Sequence, residues 1–245
     1  MKEKKELFLL ARIEEACEHL YAPVIFDFCD EAMQKKIGNH LAHCQAGYQF
    51  DGGFPDATRK MLGLYPLDWD PAYIQWPMMA VRFQRTFAFD HRNVLGELMG
   101  LGITRDCLGD IRLDDKEAQI VFKAQIAPFL KQNFKKIKGR KIQPVYYEKE
   151  EIKPFVLKFK DLNLTVNSPR IDAIIGKIWG LSRQDAVTAV SQGRVRINYE
   201  EETRKDAHLS AGDIISFRGK GKAVIDAFEG ESKKGKQRLR IKKYI

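Results

Sequence analysis

The sequence of 245 residues is short of the features that mark several protein classes. Its apolar runs, such as Trp76–Val81, fall far below the ~20 residues of a bilayer-spanning helix. The lysine-rich opening holds only a short apolar run, Leu7–Ala11, cut by Arg12, which is too brief for a signal peptide. Four cysteines (Cys17, Cys29, Cys44 and Cys107) include no CxxC pair, which argues against a disulfide framework or a zinc ribbon. There is no internal repeat, no GxxxxGK[ST] phosphate loop and no glycine-rich dinucleotide fingerprint after a strand. A cytoplasmic location is therefore expected, without cofactor, metal or membrane.

What is present is an ordinary globular composition, 44% hydrophobic and 31% charged, which excludes disorder. The net charge of +9 is unevenly spread. Residues 168–245 carry 17 Lys and Arg against 10 Asp and Glu, a net +7, while the first 167 residues are nearly balanced. A basic terminal module calls for a polyanionic partner, nucleic acid or an acidic surface, unless the charge only keeps the surface soluble.

Periodicity suggests an α+β fold in three parts: 1–75, 76–166 and 167–245. In the first, a small α/β unit, Leu7, Leu10, Ala11, Cys17 and Leu20 share a helical face. Asp27 is expected to cap a second helix bearing Phe28, Ala32, Ile37, Leu41 and Cys44, and Tyr48–Phe50 and Met61–Tyr65 read as strands. The second part reads β-α-β-β-α-β, the split ferredoxin-like order also used by RRM domains. Its third strand, Glu117–Lys123, lacks the RRM aromatic signature and offers only Phe122, so the shape is expected without RRM-style base stacking. Its last strand is expected at Lys141–Tyr147. Lys135, Lys136, Lys138, Arg140 and Lys141 read as a solvated hairpin, with phosphate contact as the alternative. Residues 148–167 read as a linker passage ending in a strand at Phe155–Phe159.

The third part opens at Ser168-Pro169, read as a cap and first helical position. A helix with Ile171, Ile174, Ile175 and Ile178 follows and stops at Gly180. Ser182-Arg-Gln-Asp185 resembles a capping box for a second helix that stops at Gly193. A small curved sheet is expected beyond it. Arg170 and Arg183 sit in first helical turns, where a cation opposes the helix dipole but suits a bound phosphate, unless each pairs with Asp172 or Asp185. Arg194 and Arg196 share a strand face by period two. Arg218, Lys220 and Lys222 flank Gly219 and Gly221, where bare backbone lets a phosphate approach.

Taken together, Arg170-Ile-Asp172, Leu181-Ser-Arg183, Gln192-Gly-Arg-Val-Arg-Ile-Asn198 and Gly212-Asp-Ile-Ile-Ser216 resemble the S-four RNA-binding domain, named after a small-subunit ribosomal protein. Asp90–Arg105 with Leu108–Ile111 resembles the middle domain of YlmH-type proteins, and the order of parts agrees. The usual arginine–leucine–aspartate opening carries Ile171 here. The resemblance implies binding of structured RNA, rRNA and possibly tRNA, on the large ribosomal subunit. It also implies a part in ribosome-associated quality control of stalled peptidyl-tRNA complexes, by a monomer with no enzymatic step. By the same resemblance the RNA face would comprise Arg170, Ser182, Arg183, Gln192, Arg194, Arg196 and Asn198, joined by Arg218, Lys220 and Lys222, while Asp172 and Gly193 hold the fold. Ser182 and Asn198 fit a cap and a turn equally well.

Other classes have less support. His40, His43 and Cys44 cannot close a metal site at helical spacing without a partner cluster. A division-site or protein-interaction adaptor lacks a basic amphipathic helix with exposed apolar residues. An RNA-modifying enzyme would need an active site within residues 1–150 that no motif reveals.

Overall fold

The computed structural model describes residues 2–154, 158–232 and 235–244. They form a mixed α/β structure with six α-helices, and the chain divides into two compact units, residues 1–155 and 156–245.

The first unit opens with α1 (Lys2–Glu18), β1 (Val24–Cys29), α2 (Glu31–Leu41), β2 (Gly47–Asp51) and β3 (Lys60–Tyr65). The second helix starts later than expected. Val24-Ile-Phe-Asp-Phe-Cys29, rich in β-branched and aromatic residues, pairs antiparallel with β3, and the cap is Asp30, whose carboxylate accepts from Met33 N at 3.0 Å. β1, β3 and β2 form a three-stranded sheet whose α-helical side buries Ile13, Met33, Ile37, Leu62 and Leu64. Cys44 Sγ lies 3.9 Å from the His40 carbonyl oxygen, and His40 Nε2 lies 3.9 Å from a Glu14 carboxylate oxygen.

Next come β4 (Met78–Gln84), α3 (His91–Gly100), β5 (Leu108–Leu113), β6 (Glu117–Lys123) and α4 (Ala127–Asn133). A short hairpin of β7 (Lys136–Ile137) and β8 (Arg140–Lys141) precedes β9 (Val145–Glu148). The strand expected at Lys141–Tyr147 is thus divided: Lys138 and Gly139 at positive φ fold the chain back, and only Val145–Glu148 joins the sheet. Asp90 and Asn93 form a reciprocal capping box at the start of α3. The sheet order β5-β6-β4-β9, antiparallel throughout, is that of a split β-α-β-β-α-β fold.

The two faces of this sheet have different fates. Val81, Phe83, Ile120 and Phe122 pack with Val94, Leu98, Leu130 and Phe134 on the helix side. Met78, Ala80 and Val121, on the other side by period two, pack with Phe28, Phe54, Trp76 and Ile152. Arg82 on that side is buried with its guanidinium 3.5 Å from the Tyr147 ring centroid and donates to the Glu151 carbonyl at 2.7 Å. Gln119 donates to the Lys153 carbonyl.

The second unit contains β10 (Phe159–Val166), α5 (Ile171–Trp179), α6 (Arg183–Ser191), β11 (Val195–Ile197), β12 (Glu200–Glu201), β13 (Ile214–Phe217), β14 (Gly221–Glu231) and β15 (Gln237–Tyr244). The strand expected at Phe155–Phe159 falls largely outside the described residues. From Phe159 to Val166 the chain pairs along its length with β15. Ser168 does not cap α5; Arg170 occupies the cap position, because the backbone of residues 169–172 is tied to the 205–209 segment, with Ile171 N donating to the Ala207 carbonyl and Leu209 N to that of Pro169. Both helices pack on the six-stranded sheet around Ile171, Ile174, Ile175, Val190, Ile215, Ile225 and Ile241.

Candidate nucleic-acid interface

Eight basic residues of the second unit line two grooves. The first, of about 610 Å³, includes Arg170, Asp172, Lys177, Arg183 and Lys236. Its anchor is Asp172, 2% exposed, which receives Arg170 Nε and Nη2 at 3.1 and 3.0 Å and Ala173 N at 2.9 Å. This paired geometry raises the pKa of Arg170 above its ordinary value. Arg183 Nε stands 3.9 Å from the same carboxylate, while its side chain is 81% exposed. Arg170 is therefore pinned to the groove floor by a bidentate pair, half-buried, and Arg183 projects beyond it.

The second groove, of about 680 Å³, brings together Arg194, Arg196, Arg218 and Lys222 with Gly193, Gly221, Glu201 and Phe217. Pairing of β11 with β13 sets the positions: Val195 opposite Phe217, Arg196 opposite Ser216. Arg218 N donates to the Arg194 carbonyl at 2.8 Å, locking the two arginine-bearing backbones side by side. The Arg194 guanidinium lies 5.5 Å from the Phe217 ring centroid, and Lys222 Nζ lies 5.1 Å from that of Tyr199 and 5.7 Å from that of Tyr244. Arg194, Arg196 and Arg218 are exposed. Glu201, opposite Arg196 across the β11–β12 hairpin, supplies a single acidic edge.

The remaining expected residues serve otherwise or stand apart. Ser182 Oγ accepts from Asp185 N at 3.1 Å and donates to the Asp185 carboxylate at 2.7 Å, a cap for α6. Asn198 is held on both ends of its amide: Nδ2 donates to Asp213 at 2.8 Å and Oδ1 accepts from Ile214 N at 3.0 Å. Gln192 is exposed and caps the C-terminal end of α6, one residue beyond Ser191. Lys220, also exposed, offers its carbonyl to Trp179 Nε1 at 2.9 Å, which ties the end of α5 to the Arg218–Lys222 turn.

Sequence reasoning missed Lys177 and Lys236. The i, i+4 spacing of Ala173 and Lys177 places the lysine on the groove face of α5, a signal that was available. Lys236 reaches the groove only through the long β14–β15 hairpin. Two other basic residues of that hairpin are spoken for: Arg240 pairs with Asp226 and Glu229, and Lys242 with Asp226 at 2.8 Å. Among the described residues there is no cluster of three or more His, Cys, Asp or Glu suited to a metal ion. No helix among them is long and apolar enough to cross a membrane.

Residues 74–151 match the family model described as "Putative RNA-binding domain in YlmH". The chain is 30% identical over 225 residues to the "Ribosome-associated protein quality control protein P2" of Bacillus subtilis (strain 168), covering 89% of this chain and 86% of that protein. A solved structure, the "Cell division protein ylmH from Streptococcus pneumoniae", shares the fold at a TM-score of 0.54 and 20% identity, over 62% of this chain and 96% of that one. Identity at this level across nearly the whole length of both proteins makes this chain a member of the YlmH family.

Proposed function

We propose that this protein binds structured RNA on the large ribosomal subunit, rRNA or tRNA held there, and serves without catalysis in the rescue of stalled peptidyl-tRNA complexes. The observation that carries this reading is the second groove: three exposed arginines and a lysine on one patch, framed by aromatic rings and bare glycine backbone, with one carboxylate at the edge. Cations arranged along a groove neutralise phosphates and release counterions, and this recognises shape more than sequence. The quality-control role is named for the Bacillus subtilis relative and is carried to this chain by their similarity.

We read the work as divided among three modules of a cytoplasmic monomer. Residues 1–75 cover the sheet of the middle fold, the middle fold begins near residue 76, and the C-terminal clamp includes the β10 strand that pairs into its sheet. The sheet face that an RRM offers to bases is filled by Phe28, Phe54 and Trp76, which favours contact through phosphates over base stacking.

The test is cosedimentation with large subunits together with RNA binding across a salt series. Neutralising about five phosphates gives a log–log salt slope of roughly −4. The Arg196→Glu, Arg218→Glu double variant should lose most large-subunit binding while remaining folded, the new carboxylate opposite Glu201 lowering the melting temperature only modestly. Unchanged cosedimentation, or a slope near zero for the wild type, would refute the reading.

A further inference from the structure

The β7–β8 hairpin is an isolated two-stranded ribbon in the middle fold, outside the four-stranded sheet. Its segment Lys135-Lys-Ile-Lys-Gly-Arg-Lys141 holds five cations and no acid. All five are exposed, and none forms an ion pair with a carboxylate of the described residues. The ribbon is nevertheless firmly seated: Phe134, Ile137 and Ile142 are buried in the helix-side core, and Ile142 N donates to the Lys135 carbonyl at 3.0 Å. Lys138 and Gly139, at φ 51° and 73°, make the tight turn.

One feature of this hairpin works against folding. Lys136 stands directly opposite Lys141 in the ladder. Like charges facing each other across a strand pair are destabilising, and no carboxylate of the described residues forms an ion pair with either lysine. Arg140 is partly steadied by the Phe87 ring, 5.3 Å from its guanidinium carbon, which holds it on the ribbon instead of letting it sweep through solvent. A rigid, unneutralised cationic ribbon is matched by an external polyanion.

We propose that this hairpin is a second phosphate-backbone contact for structured RNA, made by the helix side of the middle fold and not by its sheet. The inference rests on the RNA-binding reading above and assigns a site to a fold whose sheet face is covered. RNA is favoured over a lipid surface because every apolar residue of the hairpin points inward, so the ribbon has nothing to insert among acyl chains. A two-residue turn also keeps it narrow enough to lie along a groove between phosphate ridges.

The experiment uses the full chain carrying Lys136→Gln, Lys138→Gln and Lys141→Gln, with a fluorescent RNA hairpin of about 20 base pairs as probe across a KCl series. If the three lysines each meet a phosphate, the salt slope should become shallower by roughly 2 to 3. Affinity at low salt should fall at least tenfold, and the melting temperature should stay level or rise, since the opposed pair is gone. Replacing the same three lysines by arginine should keep wild-type binding. Wild-type affinity and slope in the glutamine variant, with binding lost in Arg196→Glu, Arg218→Glu, would overturn the hairpin proposal and leave the groove reading standing. Loss in the hairpin variant alone would sustain the hairpin and sink the groove. If the glutamine changes abolish binding to phosphatidylserine vesicles while RNA binding persists, the ribbon is a lipid contact and the proposal is wrong.

Discussion

Arg170 and Asp172 form a bidentate pair at 3.1 and 3.0 Å in which the carboxylate is almost wholly buried and the guanidinium half-buried. The arginine that sequence reasoning places on the RNA face is thereby the clamp that lets an aspartate sit inside the fold. The aspartate also accepts from Ala173 N and lies within reach of Arg183. One acid thus fixes the floor of the first groove.

Asp172→Ala should therefore cost stability. A buried hydrogen-bonded carboxylate leaves behind an unpaired guanidinium and an unsatisfied backbone donor, a loss of about 1–3 kcal/mol. Urea unfolding at neutral pH measures it; a midpoint equal to wild type would show that the pair carries no stability.

Asn198→Ala separates a fold residue from an RNA residue. Both ends of the amide are used inside the protein, against Asp213 and Ile214, and the residue itself sits at φ 49° in the hairpin turn. The expected result is a lower unfolding midpoint, by about 1–2 kcal/mol, with RNA affinity of the folded protein unchanged. A large affinity loss at unchanged stability would place Asn198 back on the interface.

Gly193→Ala tests the neck between α6 and β11. The glycine has φ 63°, and an added Cβ would stand 2.1 Å from Glu201 Oε1. The left-handed backbone costs a side-chain-bearing residue about 1–2 kcal/mol, and the Glu201 carboxylate must move from its place beside the second groove. Thermal melting should drop by several degrees, and RNA binding should change because the one acidic edge of the groove has shifted. A wild-type melt would refute the strain.

Cys29 sets an alkaline limit. Burial lifts its thiol from 9.0 to about 12, with Arg59 nearby pulling the other way and its Sγ donating to the Lys60 carbonyl at 3.4 Å. The folded state holds this proton more tightly than the unfolded chain, so the associated stability is complete below pH ~9 and is lost as pH climbs toward 12. Stability of the wild type should decline over that window, and Cys29→Ala should decline less steeply. At pH 8 the native thiol should react with a soluble disulfide reagent far more slowly than in urea. Equal rates would show that the site is open.

Much of this molecule could be read from local pattern. The strand pattern of Met61–Tyr65 lies within β3, and Ser182 marks the start of α6 as its spacing to Asp185 suggests; both follow from interactions within a few residues. Two caps were misplaced for a reason beyond that range. Asp27 lies inside β1 because β3, more than thirty residues later, supplies the ladder, and Ser168 yields the cap position to Arg170 because the 205–209 segment fastens that backbone.

By itself the sequence determined the kinds of element, the order of the middle fold, the concentration of positive charge in residues 168–245 and the family resemblance, since these depend on residue type and spacing alone. Tertiary structure alone decided which cations are paired with carboxylates and which are left exposed along a groove. Arg170 and Arg240 look as available in the sequence as Arg196 and Arg218, yet the first two are paired with carboxylates and the latter two line a groove. The burial of the sheet face behind Phe28, Phe54 and Trp76 was settled at the same level. The physical reason is common to both: desolvation and charge pairing depend on distances between residues far apart along the chain, and only the folded packing sets those distances.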